Sequence, residues 1–303
     1  MEPYIQGKIY TYNYKQLDLY IGFLKELCMK LLICTDGSSG SILSADLVSK
    51  LKFPTNIQIT VLGVSENKSD LDNIVASMDL IDKKFGTTYV VDRRIRNGKP
   101  IEEIMSEVLE SKYDLVVVGG GRGQLDLLHP QLGSTTSKLA RKLHTHFLVA
   151  RNISTEVNKI LFCTGAEAPA SLTMRLGGEW ISNTPAKIGL LHVLPANLEK
   201  IGDSCNVVTT YEKDDHGNRE QRDLVLSQAG QQLRTAGVKN EIITKIRQGL
   251  VVDEVLNELK EGEYQLLVIG VHYQPGQNRW QGTLLDDVTD QLLNRCNCSV
   301  LII

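Results

Sequence analysis

An internal repeat constrains this chain more than any other feature. Lys30-Leu-Leu-Ile-Cys-Thr35 is matched by Lys159-Ile-Leu-Phe-Cys-Thr164. Ile59-Thr-Val-Leu-Gly-Val64 is matched by Ile188-Gly-Leu-Leu-His-Val193, and Arg96-Asn-Gly98 by Arg247-Gln-Gly249. Tyr113-Asp-Leu-Val-Val-Val-Gly119 is matched by Tyr264-Gln-Leu-Leu-Val-Ile-Gly270. The four pairs occur in the same order, and the last two keep the same spacing. A duplicated unit must fold the same way twice. The chain has 303 residues, more than one hydrophobic core usually serves. The reading is an N-terminal extension over 1–28 and two domains over 29–152 and 153–303.

Each unit alternates short apolar runs with helical patterns. In the first unit the runs are Leu31–Thr35, Ile57–Val64, Tyr89–Arg96, Leu115–Val118 and Phe147–Ala150. Continuous rather than alternating hydrophobicity predicts parallel strands covered on both faces. Between them, Ile42, Ala45, Leu47 and Leu51 share one helical face, and Ile101, Ile104, Val108 and Leu109 another. Pro100 suits the first turn of a helix, where its missing N–H costs nothing. The fold class is therefore α/β, with two tandem doubly wound parallel sheets joined by right-handed crossovers. Such sheets bind ligands at the carboxyl ends of their strands. In the second unit the polar stretch Pro195–Arg222 predicts an extended loop. Leu17–Leu27 fits either a short amphipathic helix or an unstructured tail.

Charge and cysteine usage narrow the function classes. With 33 basic and 36 acidic residues, the net charge of −3 offers no broad basic field for nucleic acid. No run approaches the ~20 apolar residues of a membrane-spanning helix. The first residues carry no signal-peptide pattern. Cys28, Cys34, Cys163, Cys205, Cys296 and Cys298 read as reduced thiols of a cytoplasmic protein. His192 reads as a satisfied core histidine, and His144 with His146 as a cap or turn pair at a helix end.

The segment richest in chemistry runs from Gly119 to Lys138, with glycines at 119, 120, 121, 123 and 133 followed by Ser134, Thr135 and Thr136. It follows a strand and leads into a helix predicted over Thr135–Leu143. Glycines let backbone N–H groups approach an anion closely. The helix start adds free N–H groups and about half a positive charge, and the hydroxyls add donors. A dinucleotide fingerprint from Gly119 or Gly121 lacks its third glycine, and Gly98-Lys99-Pro100 does not complete a P-loop. Arg122 fits either a phosphate clamp or a solvated loop position.

Gly120-x2-Gly123-x9-Gly133-Ser134, with Thr35-Asp36-Gly37-Ser38 after the first strand, resembles the ATP motif of the universal stress proteins. The resemblance covers nearly all of the chain from Met29, in two copies. It implies Rossmann-like domains of the adenine nucleotide alpha hydrolase type, binding ATP with Mg²⁺. It further implies that Asp36 contacts the ribose or adenine side and Val64 the adenine through its backbone. Gly119 or Gly120, with Gly123, would flank ribose and phosphates, and Gly133, Ser134 and Thr135 would hold the phosphates.

The second unit departs from that pattern. Gly165 replaces Asp36, and Val271-His272-Tyr273 follows Gly270. Gly282-Thr283 echoes Gly133-Ser134 in a shorter loop that carries Arg279-Trp280. This half is expected not to bind ATP in the same way. No Ser/His/Asp set or carboxylate pair accompanies the loop, which argues against an efficient hydrolase. The reading is an ATP-binding regulatory module of stress response, with one ATP per chain and an unidentified protein partner. A nucleotide-independent scaffold and a slow ATPase or autophosphorylating enzyme stay open. Phe147–Ala150 and Ser299–Ile303 are expected to pair within the chain as a pseudo-dimer, which leaves a further homodimer open.

Overall fold

The structure is a computed structural model that describes residues 28–53, 56–86, 88–120, 132–151, 156–164, 169–195, 216–271 and 287–303. The first half runs β1 (Met29–Thr35), α1 (Ser39–Lys50), β2 (Ile57–Ser65), α2 (Leu71–Phe85), β3 (Val90–Asn97), α3 (Pro100–Ser111), β4 (Leu115–Gly119), α4 (Ser134–Lys142) and β5 (His146–Ala150). The second runs β6 (Lys159–Thr164), α5 (Pro169–Ile181), β7 (Lys187–Pro195), α6 (His216–Thr235), β8 (Ile242–Gly249), α7 (Val251–Gly262), β9 (Leu266–Ile269), α8 (Asp287–Arg295) and β10 (Ser299–Ile302). All ten strands form one sheet, ordered β3-β2-β1-β4-β5-β10-β9-β6-β7-β8. Every neighbouring pair is parallel except β5 and β10.

Apolar runs become central strands because both sheet faces are buried. In β1, Leu31 and Ile33 face one core, while Leu32 and Cys34 face the other. In the first half α1 and α2 cover the first face, and α3 and α4 the second. The edge strands break the rule. β3 is not the apolar run expected of Tyr89–Arg96: it carries Arg93, Arg94 and Arg96 and is half exposed, as an edge that must resist further pairing. Leu109 also departs from expectation, at 73% exposed. The core-facing position of its helix is taken by Glu107.

Glu107 is a buried anion held by its own half. It accepts hydrogen bonds from Arg94 Nη1 (2.6 Å), Arg96 Nε (2.9 Å) and the Tyr113 hydroxyl (2.8 Å). Glu258 repeats the arrangement with Lys245 (2.7 Å), Arg247 (2.9 Å) and Tyr264 (3.1 Å). Each network ties an edge strand to the helix that follows it.

The halves meet at the one antiparallel ladder, as the pseudo-dimer reading expected. Val149, Leu148 and Phe147 of β5 oppose Val300, Leu301 and Ile302 of β10. Leu115 pairs with His146 and Leu266 with Ser299, which makes Leu148 and Leu301 equivalent in the repeat. A local two-fold axis therefore passes between those two residues. Arg141 of α4 donates to Asp290 of α8 beside the ladder (2.9 Å). On the opposite face Trp180 packs against Phe53 and, edge-on, against His146 at 5.3 Å, while the Thr184 hydroxyl donates to the Leu51 carbonyl. His146 thus packs at the seam between the halves.

The loop expected over Pro195–Arg222 ends earlier than the sequence suggested, because α6 begins at His216. Residues 196–215, the tail over 1–27 and Cys205 lie outside the described residues. The other five cysteines are free thiols.

Two predictions follow from the packing. Removal of Ser299–Ile303 uncovers the edges of both β5 and β9, and is expected to yield aggregates or intermolecular dimers by light scattering; a soluble monomer would count against the seam. Glu107→Gln is expected to cost about 1–3 kcal/mol of stability near neutral pH, because it removes the buried carboxylate on which half-buried Arg94 and Arg96 and the Tyr113 hydroxyl converge. Burial alone would raise this carboxyl, but bonds from Tyr113 and Arg96 and the charge of Arg94 hold it below the ordinary carboxylate range. Its contribution is therefore full above that range and lost as pH falls through the folded value. Urea unfolding at neutral pH and near pH 3 should show the gap between native and variant shrinking in acid.

Candidate functional site

The parallel halves leave crevices at the carboxyl ends of their strands, where crossover helices start on opposite faces. In the first half, the ends of β1, β2 and β4 and the starts of α1, α3 and α4 enclose a cleft of about 240 Å³. Asp36, Val64, Gly119, Gly133, Ser134 and Thr135 all line it, although they come from three separate stretches of chain. Gly120 does not: its N–H donates to the Ala150 carbonyl at 2.8 Å, and its α-carbon faces the Arg151 side chain. Gly121, Arg122 and Gly123 lie outside the described residues.

The floor is a knot of hydroxyls. Thr35 Oγ1 is 2.7 Å from both Ser41 Oγ and Ser77 Oγ, and accepts the Gly37 N–H at 3.1 Å. These bonds fix the turn after β1. Gly37 takes φ +82°, open to glycine, and an added Cβ would lie 3.0 Å from Asn73. The turn leaves Asp36 exposed at the cleft, its Oδ1 accepting the Ser38 N–H at 2.9 Å. Asp36 therefore organises the approach to α1, and its bond to the Ser38 N–H uses only Oδ1.

The opposite wall is the start of α4. Gly133 is its N-cap residue, so the helix opens at Ser134, one residue earlier than the sequence pattern suggested. The first backbone N–H groups have no partner within the helix, and the residues that carry them, Ser134 and Thr135, line the cleft. Thr136 ties this wall to β4, donating to the Gly119 carbonyl at 3.1 Å. A Cβ on Gly119 would fall 2.7 Å from the Gly40 backbone, so glycine lets α1 approach β4. The apolar side is Val64, Pro100, Ile104, Val118 and Leu139. Cys34 also lines the cleft, but burial pushes its thiol far up, so it acts as an apolar surface.

Sequence reasoning missed Ser41, Ile104 and Leu139, and it read Thr136 as a donor to the ligand, whereas that hydroxyl is spent on the Gly119 carbonyl. Their periodicity assigns them to helices, and nothing local marks which helix turn abuts a strand end. Elsewhere, His192 is buried as expected, with Nδ1 donating to the Thr164 carbonyl at 3.0 Å. Cys296 and Cys298 are buried at the end of α8, where the Arg151 guanidinium donates to the Cys296 carbonyl at 2.8 Å. Among the described residues, no group of three or more His, Cys, Asp or Glu is arranged to hold a metal ion. No helix among them is long and apolar enough to cross a membrane.

Gly119→Ala is expected to push α1 away from β4 and to cost about 1–3 kcal/mol, because the obstructing atoms are backbone. Thermal unfolding measures this, and an unchanged midpoint would mean that the contact relaxes freely.

The comparisons with known proteins agree with this architecture. A universal stress protein of Archaeoglobus fulgidus DSM 4304 superimposes with a TM-score of 0.59 at 14% identity, over 90% of this chain and 97% of that one. A putative universal stress protein of Pseudomonas aeruginosa UCBPP-PA14 does so with a TM-score of 0.62 at 14% identity, over 91% and 93%. At such identities the likeness establishes the shared fold. No curated protein matches the chain in sequence. The profile of the universal stress protein family matches residues 29–151 and again 156–303. With both halves matched, this chain belongs to the universal stress protein family.

Proposed function

We propose that the first-half cleft binds one ATP per chain with its Mg²⁺, and that the protein is a nucleotide-dependent regulatory module. The observation that carries this reading is the convergence, in one cleft, of a free helix N-terminus with hydroxyls, a carboxylate and an apolar wall. The apolar wall around Val64 and Ile104 suits a planar base. Asp36 is placed for a ribose hydroxyl. The α4 N-terminus, with Ser134 and Thr135, suits phosphates because its N–H groups and dipole favour negative charge. The same residues fit the metal complex of the nucleotide. Asp36 is the one ionised side chain among the described lining residues, so a triphosphate would bring a partner for its own charge. Bound Mg²⁺ supplies that neutralisation.

As a regulator, the protein would respond through the difference in affinity of its conformations for nucleotide. The walls of the cleft belong to α1, α3 and α4, so closing on a ligand would move helices that also cover the core.

Calorimetry with MgATP on the full chain tests the reading. One ATP per chain is expected. Ser134→Asp places a like charge beside the phosphates and should weaken binding by about tenfold or more. Asp36→Ala should also weaken it. No binding at millimolar ATP would overturn the proposal and favour a nucleotide-independent scaffold.

A further inference from the structure

We propose that Cys296 and Cys298, beside the β5–β10 ladder, form a site of reversible oxidation by hydrogen peroxide, with Cys296 as the attacking sulfur and the buried guanidinium of Arg151 as its counter-charge. Arg151 follows β5, and only 8% of it is exposed. Its side chain lies against Gly120 of the first half and reaches the end of α8 in the second. Nη1 donates to the Cys296 carbonyl at 2.8 Å and stands 3.8 Å from Cys296 Sγ. The Arg151 N–H donates to Ser299 Oγ at 3.0 Å, and that hydroxyl donates to the Arg151 carbonyl at 3.0 Å. Nη2 is buried with no hydrogen-bond partner.

A buried cation needs an anion. Elsewhere in the fold that anion is a carboxylate, as Glu107 is for Arg94 and Arg96 and Glu258 is for Arg247. Among the described residues no carboxylate forms an ion pair with Arg151, and the charges that act on it are those of Cys296 and Cys298. Cys296 is the group placed to ionise. The Cys298 thiol beside it, and then the charge of Arg151, hold the Cys296 thiol below its ordinary value, although burial opposes them. Cys298 goes the other way, pushed up by its bond to Cys296 and by burial. One sulfur is thus an anion and its neighbour keeps its proton, the division that an attacking and a resolving thiol need. Cys34 and Cys163 are the contrast. Burial drives both of those thiols up, and the charge of Glu107 or Glu258 adds to the rise.

Cys296 Sγ also lies 3.7 Å from the Cys298 carbonyl, in the bend where α8 gives way to β10. A bend brings residues two apart within the α-carbon separations that a disulfide spans. In the first step the Cys296 thiolate attacks one oxygen of the peroxide. The O–O bond breaks, Cys296 becomes a sulfenic acid, and the leaving hydroxide takes up the proton that Cys296 released on ionising. In the second step Cys298 gives up its proton and its sulfur attacks the Cys296 sulfur. The S–O bond breaks, the hydroxide leaves with that proton as a second water, and an S–S bond remains. The two thiols lose two electrons and the peroxide gains them. The sulfurs belong to residues only 1% and 9% exposed, which restricts the oxidant to a small uncharged molecule.

Hydrogen peroxide added to the folded full chain, followed by alkylation of the remaining thiols in denaturant and peptide mass spectrometry, tests this. Cleavage after Arg295 releases both cysteines on one peptide. That peptide is expected to lose two hydrogens and to resist alkylation until dithiothreitol is added, while Cys34 and Cys163 are alkylated throughout. Cys298→Ser should stop at a Cys296 sulfenic acid that dimedone traps. Arg151→Met keeps an unbranched stem against Gly120 and removes the charge. It should slow oxidation of Cys296 about tenfold, and Arg151→Lys should restore much of the rate. Alkylation of Cys34 without denaturant shows whether either variant has loosened the fold. A Cys296–Cys298 peptide that stays reduced, or that is oxidised no faster than Cys34 and Cys163, would overturn the inference. So would an Arg151→Met chain that keeps Cys34 protected and is oxidised at the native rate.

Discussion

The antiparallel ladder between β5 and β10 is the contact on which the rest of the molecule depends. A parallel α/β unit whose last strand has an open side exposes apolar backbone edge. Here Phe147–Val149 and Val300–Ile302 close each other's edge. Because the pairing centres on Leu148 and Leu301, the two halves are related as the subunits of a symmetric dimer would be. One sheet results, with its polar, arginine- and lysine-bearing strands at the two outer ends. Those outer strands need no partner, because their charges discourage one.

The duplicated networks around Glu107 and Glu258 show how such an outer strand is kept in place. An edge strand has hydrogen bonds on one side only. Tying its basic side chains to a carboxylate buried under the following helix adds a second anchor. Removing the basic members would leave a buried carboxylate without its ion pairs, and the arrangement is present in both halves. It stands apart from the ligand-facing cleft, which frees the residues at the strand ends to diverge.

That divergence makes the two halves chemically unequal on equal scaffolds. Both keep a glycine after the fourth strand and a buried threonine in the first turn of the last helix. They differ at the first residue of that helix, Ser134 in one half and Asp287 in the other. A duplication can preserve a scaffold and still alter these positions at little cost in stability, since both are exposed.

The sequence by itself determined the repeat, the order of strands and helices, and the strand–loop–helix that carries Gly133, Ser134 and Thr135. Local chemistry suffices there: apolar runs need two covering layers, and glycines before a helix start leave N–H groups free. Asp36 and Val64 were marked by the family resemblance alone, and both line the cleft. The sequence pattern misjudged Tyr89–Arg96 and Leu109, since edge position and the inward pull of Glu107 depend on neighbours distant in sequence. Only the tertiary structure decided that Ser41, Ile104 and Leu139 share a cleft with Asp36, that Gly120 faces Arg151 instead, and that Leu148 lies on the axis between the halves. Those are matters of how elements meet, set by long-range packing and strand register, which one-dimensional periodicity does not encode.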